Sequence, residues 1–301
     1  MADRLLPHHP IYIPTKGRYQ KGRALTARAL LRDDVMFHVV VEPQEQAQYE
    51  AAVGPERVLV LPFSNLGSSI PARNWIMDHA IAAGAERHWQ LDDNMNGFYR
   101  FWRGKRLPVR AGVALAVCET FADRYDNLAL AGLNYDMFVP FHTTAPLVTN
   151  CHVYSCTLVD NRIPYRWRGR YNEDTDICLQ ALAGGWCTAL LNTFTVKKKT
   201  TMKMGGGNTE NLYRGDGRLR MARALERNWP YVVETRRRFE RPQHVIRGAW
   251  RYFDTPLRLK PGIDLAALPA VDEMGITLRE VQPIQSEQLA RLVADRLQPE
   301  K

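Results

Sequence analysis

The chain has 301 residues, 45% hydrophobic and 24% charged, a balance that supports a sizeable buried core and excludes both a disordered chain and a disulfide-held miniature fold. Its net charge of +9 favours anionic ligands such as nucleic acid or nucleotides. No apolar run approaches the roughly 20 residues of a membrane span, no apolar signal segment opens the chain, and the five cysteines (Cys118, Cys151, Cys156, Cys178, Cys187) include no C-x-x-C pair, so the expectation is a cytoplasmic chain with reduced thiols and no membrane partner.

In chain order, residues 11–13 predict a strand stopped by Pro14, 26–31 a helix, 37–41 a second strand, and 44–53 a helix ended by Gly54-Pro55. Residues 57–61 predict a third strand. Residues 71–83 form a helical pattern with Pro71 in its first turn and Gly84 as its stop, and the buried strand 88–91 runs into Asp92-Asp93-Asn94. This alternation predicts an α/β fold with a mainly parallel, doubly wound central sheet flanked by helices. Beyond it the pattern predicts a helix over 113–122, strands over 128–133 and 153–158, a helix over 173–184 behind an acidic first turn, and a strand over 186–196. A Gly-rich loop at 205–208, helical segments at 219–228 and 231–239, and a closing helix at 286–297 complete the chain. Residues 1–200 thus read as the catalytic part, 201–255 as a basic helical part, and 256–301 as a tail with a docking helix. Between positions 197 and 251, fifteen basic residues face five acidic ones, which concentrates the positive charge where an acceptor polyanion would lie.

Several motifs carry chemistry. Asp92-Asp93-Asn94 ends a central strand, the edge where open α/β sheets hold ligands, and adjacent carboxylates there can share a divalent cation bound to diphosphate. Glu173, Asp174 and Asp176 crowd the start of a helix; a single acid suffices as a cap, and mutual repulsion suits one of three to act as a base. Pro14-Thr15-Lys16-Gly17-Arg18 forms a basic turn after the first strand. Arg73, in a helix's positive first turn, is electrostatically odd unless an anion joins it, so it reads as a phosphate contact. Two basic aromatic stretches, 98–106 (Arg100, Trp102, Arg103, Lys105, Arg106) and 165–171 (Trp167, Arg168), pair rings that stack on bases with arginines that meet phosphates. Hydrophobic anchoring of a loop is the plainer account of either tryptophan. Lys197, Lys198 and Lys199 extend this basic set.

Together, the basic turn, the Ala72-Arg73-Asn74 helix start, the Asp92-Asp93-Asn94 strand end and the Asn172-Glu173-Asp174-Thr175-Asp176 helix start resemble the nucleotide-sugar domain of GT-A glycosyltransferases, over roughly residues 11–200. The opening turn and the acidic motif look most like the phage and kinetoplastid enzymes, associated with TET/JBP-type hydroxylases, that glucosylate 5-hydroxymethylpyrimidines in DNA. The resemblance implies Asp92 and Asp93 as ligands of ribose and of Mn or Mg, Asp174 as the catalytic base with Glu173 or Asp176 orienting it, and Pro14, Thr15, Lys16, Arg18, Arg73 and Asp92 around a nucleotide sugar such as UDP-glucose. Asn94 departs from the D-x-D pattern, and no histidine ligand is evident after the last sheet strand. The implied partner is double-stranded DNA carrying hydroxymethylcytosine, with the target base extruded and Trp102 or Trp167 stacking. A polysaccharide, protein or lipid-linked acceptor, a metal-dependent nuclease, and a non-catalytic nucleic-acid binder are the rival readings.

Overall fold

Runs of Ile, Val and Leu without polar alternation become strands buried on both faces, the pattern expected where helices cover a parallel sheet. In the computed structural model, which describes residues 5–20, 24–64, 67–102, 104–139, 145–199, 216–238 and 240–268, the strands of the first part are β1 (Ile11–Pro14), β2 (His38–Val41), β3 (Val58–Val60) and β4 (Arg87–Leu91); β1 and β2 are such runs, β3 is half-buried, and β4 is fully buried although it carries Arg87, His88 and Gln90. They lie in the order β3-β2-β1-β4, all parallel. The connecting helices are α1 (Leu25–Arg32), α2 (Gln46–Val53) and α3 (Ile70–Ala82).

Beyond β4 the sheet becomes mixed. β9 (Cys156–Asp160) runs antiparallel between β4 and β7 (Leu128–Tyr135), and β7 pairs in parallel with β10 (Cys187–Lys198). The hairpin of β5 (Met95–Trp102) and β6 (Lys105–Val109) adds antiparallel strands on β10, and short β8 (Leu147–Thr149) pairs β10 as well. The expected α/β architecture, helices flanking one large central sheet, is therefore observed. α4 (Ala111–Ala122) packs with α1 and reaches β5 and β7. Met77 of α3, Val159 of β9 and Ile177 of α5 (Glu173–Ala183) share a separate core cluster.

Residues 98–106 form a hairpin rather than a free loop, because Lys105-Arg106-Leu107-Pro108-Val109 pairs back across Gly104, which turns with φ +72°. The sequence expectation of a helix at 231–239 is also corrected. Only α6 (Gly217–Asn228) is helical there, followed by an antiparallel ribbon of β11 (Val233–Arg238) and β12 (Arg241–Ile246). The β-branched Val232, Val233 and Thr235 favour that extended form over the helix that a run of arginines suggests.

Residues 1–261 form one compact unit, which takes in both the 1–200 and the 201–255 parts. The second unit spans 262–301, and its described portion holds one short turn of helix, Leu265–Ala267. The expected Gly-rich loop at 205–208 and closing helix at 286–297 lie outside the described residues.

Candidate active site

The turn after β4 is built around two carboxylates with different partners. Thr26, at the start of α1, brackets it: its N–H donates to the Asp93 carbonyl at 3.3 Å and its hydroxyl accepts from the Met95 N–H at 2.9 Å. Asp92 accepts from Arg73 Nη2 at 2.9 Å, Ser155 Oγ at 2.7 Å and Lys198 Nζ at 2.6 Å. Burial alone would raise the Asp92 pKa, but Lys198 and Arg73 overcome it and hold the carboxyl down at about 2. Asp93 accepts from Thr15 Oγ1 at 2.7 Å and pairs with Arg18. There burial wins over Arg18 and Thr15, and the pKa is pushed up to about 6.

The basic turn is held from α2. Gly17 takes a left-handed conformation, φ +66°, that aims its N–H at both Glu45 oxygens, 3.0 Å away. Tyr49 Oη lies 2.8 Å from Thr15 Oγ1 and accepts from the Arg18 N–H at 3.0 Å, and Lys16 pairs with Glu42 at 2.7 Å.

Lys198 arrives by a different route. The pairing of β10 with β5 slips between Lys197 and Lys198, a bulge that ends the ladder and re-aims the chain. Asn94 then clamps that strand end: its side-chain amide donates to the Lys199 carbonyl at 3.3 Å, and its backbone carbonyl accepts the Lys199 N–H at 3.0 Å. An aspartate at 94 would have no side-chain N–H to give to that carbonyl. Ser155, left-handed at φ 60°, completes the set, donating to Asp92 while Lys198 also reaches Ser155 Oγ at 2.9 Å and Tyr135 Oη at 3.1 Å.

Opposite stands the start of α5. Asn172 enters it with φ 53°, and its amide donates to the Met221 carbonyl of α6 at 2.8 Å. Glu173 accepts from Ser69 Oγ at 3.0 Å and lies 3.6 Å from Arg73 Nε, so one guanidinium touches both Asp92 and Glu173. Asp174 faces His152 Nε2 at 3.3 Å and accepts from the Thr175 N–H at 2.7 Å. Packed deep in the concavity yet 40% exposed on its side chain, Asp174 is raised by burial but lowered further by His152, and its pKa stays well below the usual carboxylate range. Burial and the neighbouring Asp174 charge raise Glu173. The two halves enclose a pocket of about 500 Å³, lined by Thr15, Lys16, Arg18, Arg73, Asp92, Asp93, Glu173, Asp174 and Lys198, with Tyr135, Phe138, His152 and Tyr154 as an aromatic wall.

A pocket that opposes cations to an acidic pair at the carboxyl ends of β1 and β4 is where comparison with known proteins bears on this chain. A family profile for TET-associated glycosyltransferases matches residues 9–207, about two thirds of the chain. The chain belongs to that family. No curated protein matches. Among solved structures, a mannose-1-phosphate geranyltransferase from Thermus thermophilus is similar at 12% identity over 61% of this chain and 57% of its own length, with a TM-score of 0.30; that likeness is too distant to support any argument.

In this TET-associated glycosyltransferase, Pro14, Thr15, Lys16, Arg18, Arg73, Asp92, Asp93, Glu173 and Asp174 all line one pocket. Asp176 does not. It is fully buried, accepting from Arg168 at 2.9 Å, Gln180 at 2.7 Å and Trp229 Nε1 at 2.7 Å, so its carboxylate locks α5 to α6 and cannot orient a base in the pocket. Trp167, 4% exposed, sits in the core with Met77 and Ile177 and has no free face for a nucleobase. Trp102, 39% exposed, lies at the end of β5 outside the pocket lining and carries Arg100 over its ring. Arg106 donates to the carbonyls of Asp136 and Val139, bracing the turn that presents Phe138. Lys105, Lys197 and Lys199 are exposed, Lys198 is withdrawn to Asp92, and Arg103 lies outside the described residues.

The Asp92/Asp93 pair does not fit a divalent cation as arranged. Each carboxylate already faces a full positive charge from the chain, Arg73 and Lys198 on Asp92 and Arg18 on Asp93. A cation there would have to displace one of them. Sequence patterning does not single out Ser155, Tyr135, His152, Tyr154 or Phe138; Tyr154 and Ser155 fall inside the expected strand 153–158 without any mark of function.

Proposed function

We propose that the protein transfers a sugar from a nucleoside diphosphate sugar onto the hydroxymethyl group of a 5-hydroxymethylpyrimidine in DNA, with UDP-glucose and hydroxymethylcytosine as the first donor and acceptor to test. The observation that carries this reading is the opposition, across one pocket, of a cationic rim (Lys16, Arg18, Arg73, Lys198) to the Glu173–Asp174 pair. The rim matches the negative charge that gathers on a departing diphosphate, and fixed charges in a partly dry pocket need no reorganisation as that charge develops. The family's association with TET-type hydroxylation supports the hydroxymethyl acceptor.

A hydroxymethyl group must lose its proton as it attacks the anomeric carbon. Asp174 stays ionised but holds protons weakly, whereas burial and Asp174 itself raise the proton affinity of Glu173. We therefore take the pair as one titrating unit, with Glu173 receiving the proton and Asp174, fixed by His152, keeping it receptive. Attack in line with departure gives inversion. The exposed arginines of the β11–β12 ribbon and of α6, which Asn172 ties to the pocket, would hold the acceptor backbone.

The test incubates hydroxymethylated and plain duplex DNA with a panel of nucleotide sugars and identifies the product nucleosides by mass spectrometry. A glycosylated nucleoside from hydroxymethylated DNA alone is the expected result. Strand cleavage that needs no sugar, or transfer only to a saccharide or protein acceptor, would overturn the reading.

A further inference from the structure

At the opposite end of β4 from the pocket, the strap before β1 meets the end of α4 through a second polar cluster, none of whose residues lines the pocket. His8 Nε2 lies 3.1 Å from Asp123 Oδ2, and His9 Nε2 lies 3.1 and 3.2 Å from the two Asp123 oxygens. The three donors sit within 4.8 Å of one another, the one such group of three or more among the described residues. In a tetrahedral zinc site with bonds of about 2.0–2.1 Å, neighbouring donors are about 3.3 Å apart. The distances from the two imidazoles to Asp123, 3.1 to 3.2 Å, are already close to that spacing.

Two further features point the same way. His8 Nδ1 faces Glu119 Oε2 at 2.9 Å, a contact that fixes the ring and turns its Nε2 toward Asp123. Glu119 is itself fixed: fully buried, it accepts from Trp89 Nε1 at 2.7 Å and from the backbone N–H groups of His8 and His9 at 2.8 and 3.2 Å. A buried carboxylate that sets the tautomer of a histidine is how proteins orient an imidazole toward a metal. Arg87 Nε meets Asp123 Oδ1 at 3.1 Å, while Asp123 Oδ2 faces both imidazoles, His8 Nε2 at 3.1 Å and His9 Nε2 at 3.2 Å.

We propose that His8, His9 and Asp123 form a zinc site, oriented by Glu119, that fastens residues 8–9 to the end of α4. Two imidazole nitrogens and one carboxylate suit zinc over magnesium or calcium, which take oxygen donors. The 63% exposure of the His8 side chain leaves a fourth position open to water.

The test titrates zinc chloride into the full chain, stripped with a chelator, by calorimetry in two buffers of different ionisation enthalpy, with thermal melting alongside. The expected result is one zinc ion per chain with these properties: affinity weakened at least tenfold in His8→Ala and in His9→Gln, a melting temperature that rises with zinc only in the unmutated chain, and no competition from magnesium. His8 is exposed, so His8→Ala should melt like the unmutated chain when chelator is present, which separates loss of metal from loss of fold. If the chain binds no zinc, or if both variants bind it with unchanged number and affinity, the site does not exist. A second ion retained in both variants would lie elsewhere, and the site then stands only if each variant binds one ion fewer than the unmutated chain.

Discussion

At the residue scale, the two adjacent aspartates behave as opposites because their partners differ. Asp92 is ionised throughout, whereas Asp93, with its pKa pushed up to about 6, changes charge near neutrality. Below pH 6 Asp93 is protonated, and the pocket gains one net positive charge as Arg18 loses its counter-ion. An anionic donor should then bind more tightly. We expect the Kd of a nucleotide sugar, whose bridging diphosphate does not titrate in this range, to fall about tenfold between pH 7.5 and pH 5.5, the order of one unit-charge interaction at partial screening. Calorimetry should show the pH dependence vanish in Asp93→Asn. For stability the sign is the reverse of an ordinary salt bridge: a raised carboxyl pKa contributes stability below its unfolded value near 3.9 and loses it as pH rises through about 6. The acidic pair gives a second expectation. Glu173→Gln should lower kcat by about 10²–10⁴ with little change in donor affinity, because a general base acts in the transition state. If single-turnover transfer survives in Glu173→Gln but not in Asp174→Asn, the base is Asp174.

At the element scale, the β11–β12 ribbon presents Arg237, Arg238 and Arg241 to solvent, while Val233 and Ile246 bury its root against α6 and α5. The exposed tip and the buried root can therefore be altered separately. Replacing the three arginines by alanine should weaken duplex binding tenfold or more and make the slope of log K against log salt shallower by about 2.7, since each phosphate contact contributes about 0.9. Donor affinity and melting temperature should not change, and an unaltered salt slope by fluorescence anisotropy would remove the ribbon from the DNA interface. The ribbon also marks the limit of what sequence patterning reveals. β1 and β2 were legible because strands buried on both faces read as continuous apolar runs, β4 because it falls between the helix stop at Gly84 and the Asp92-Asp93 turn, and Asp92 and Arg73 because a strand end and a helix start are local signals. Lys198, Ser155 and His152 were not. Their roles come from a bulge, a left-handed residue and a crossing of distant segments, none of which changes the local periodicity. For Trp167 the sequence left base stacking and loop anchoring both open, and anchoring holds: Asn74 clamps its backbone, donating to the Trp167 carbonyl at 2.8 Å and accepting its N–H at 2.9 Å.

At the scale of the whole molecule, the family match stops at residue 207, yet the pocket does not close there. Met221 of α6 belongs to its lining, Asn172 donates to the Met221 carbonyl, and Trp229 donates to Asp176 within α5. Leu179 of α5, Leu225 of α6, Val233 and Ile246 share one core cluster. The helix that presents Glu173 and Asp174 is thus packed on one side against the sheet and on the other against residues beyond the match. A chain ended at residue 207 would expose Leu179 and leave buried Asp176 without its indole donor, each costing on the order of 1–3 kcal/mol. We therefore expect that shortened chain to lose sugar transfer by more than about 100-fold, through misplacement of the acidic pair rather than through lost DNA contacts. The distinction can be measured: donor turnover to water, which needs no DNA, should fall with it. A graded version keeps the chain whole. Leu225→Ala, at a buried position of that cluster, should cost about 2–5 kcal/mol and lower the melting temperature by about 5–15 °C. If activity in Leu225→Ala drops at temperatures where the sheet remains folded by circular dichroism, α6 and the ribbon are part of the active-site scaffold; if activity tracks global unfolding alone, they are only an appended acceptor platform.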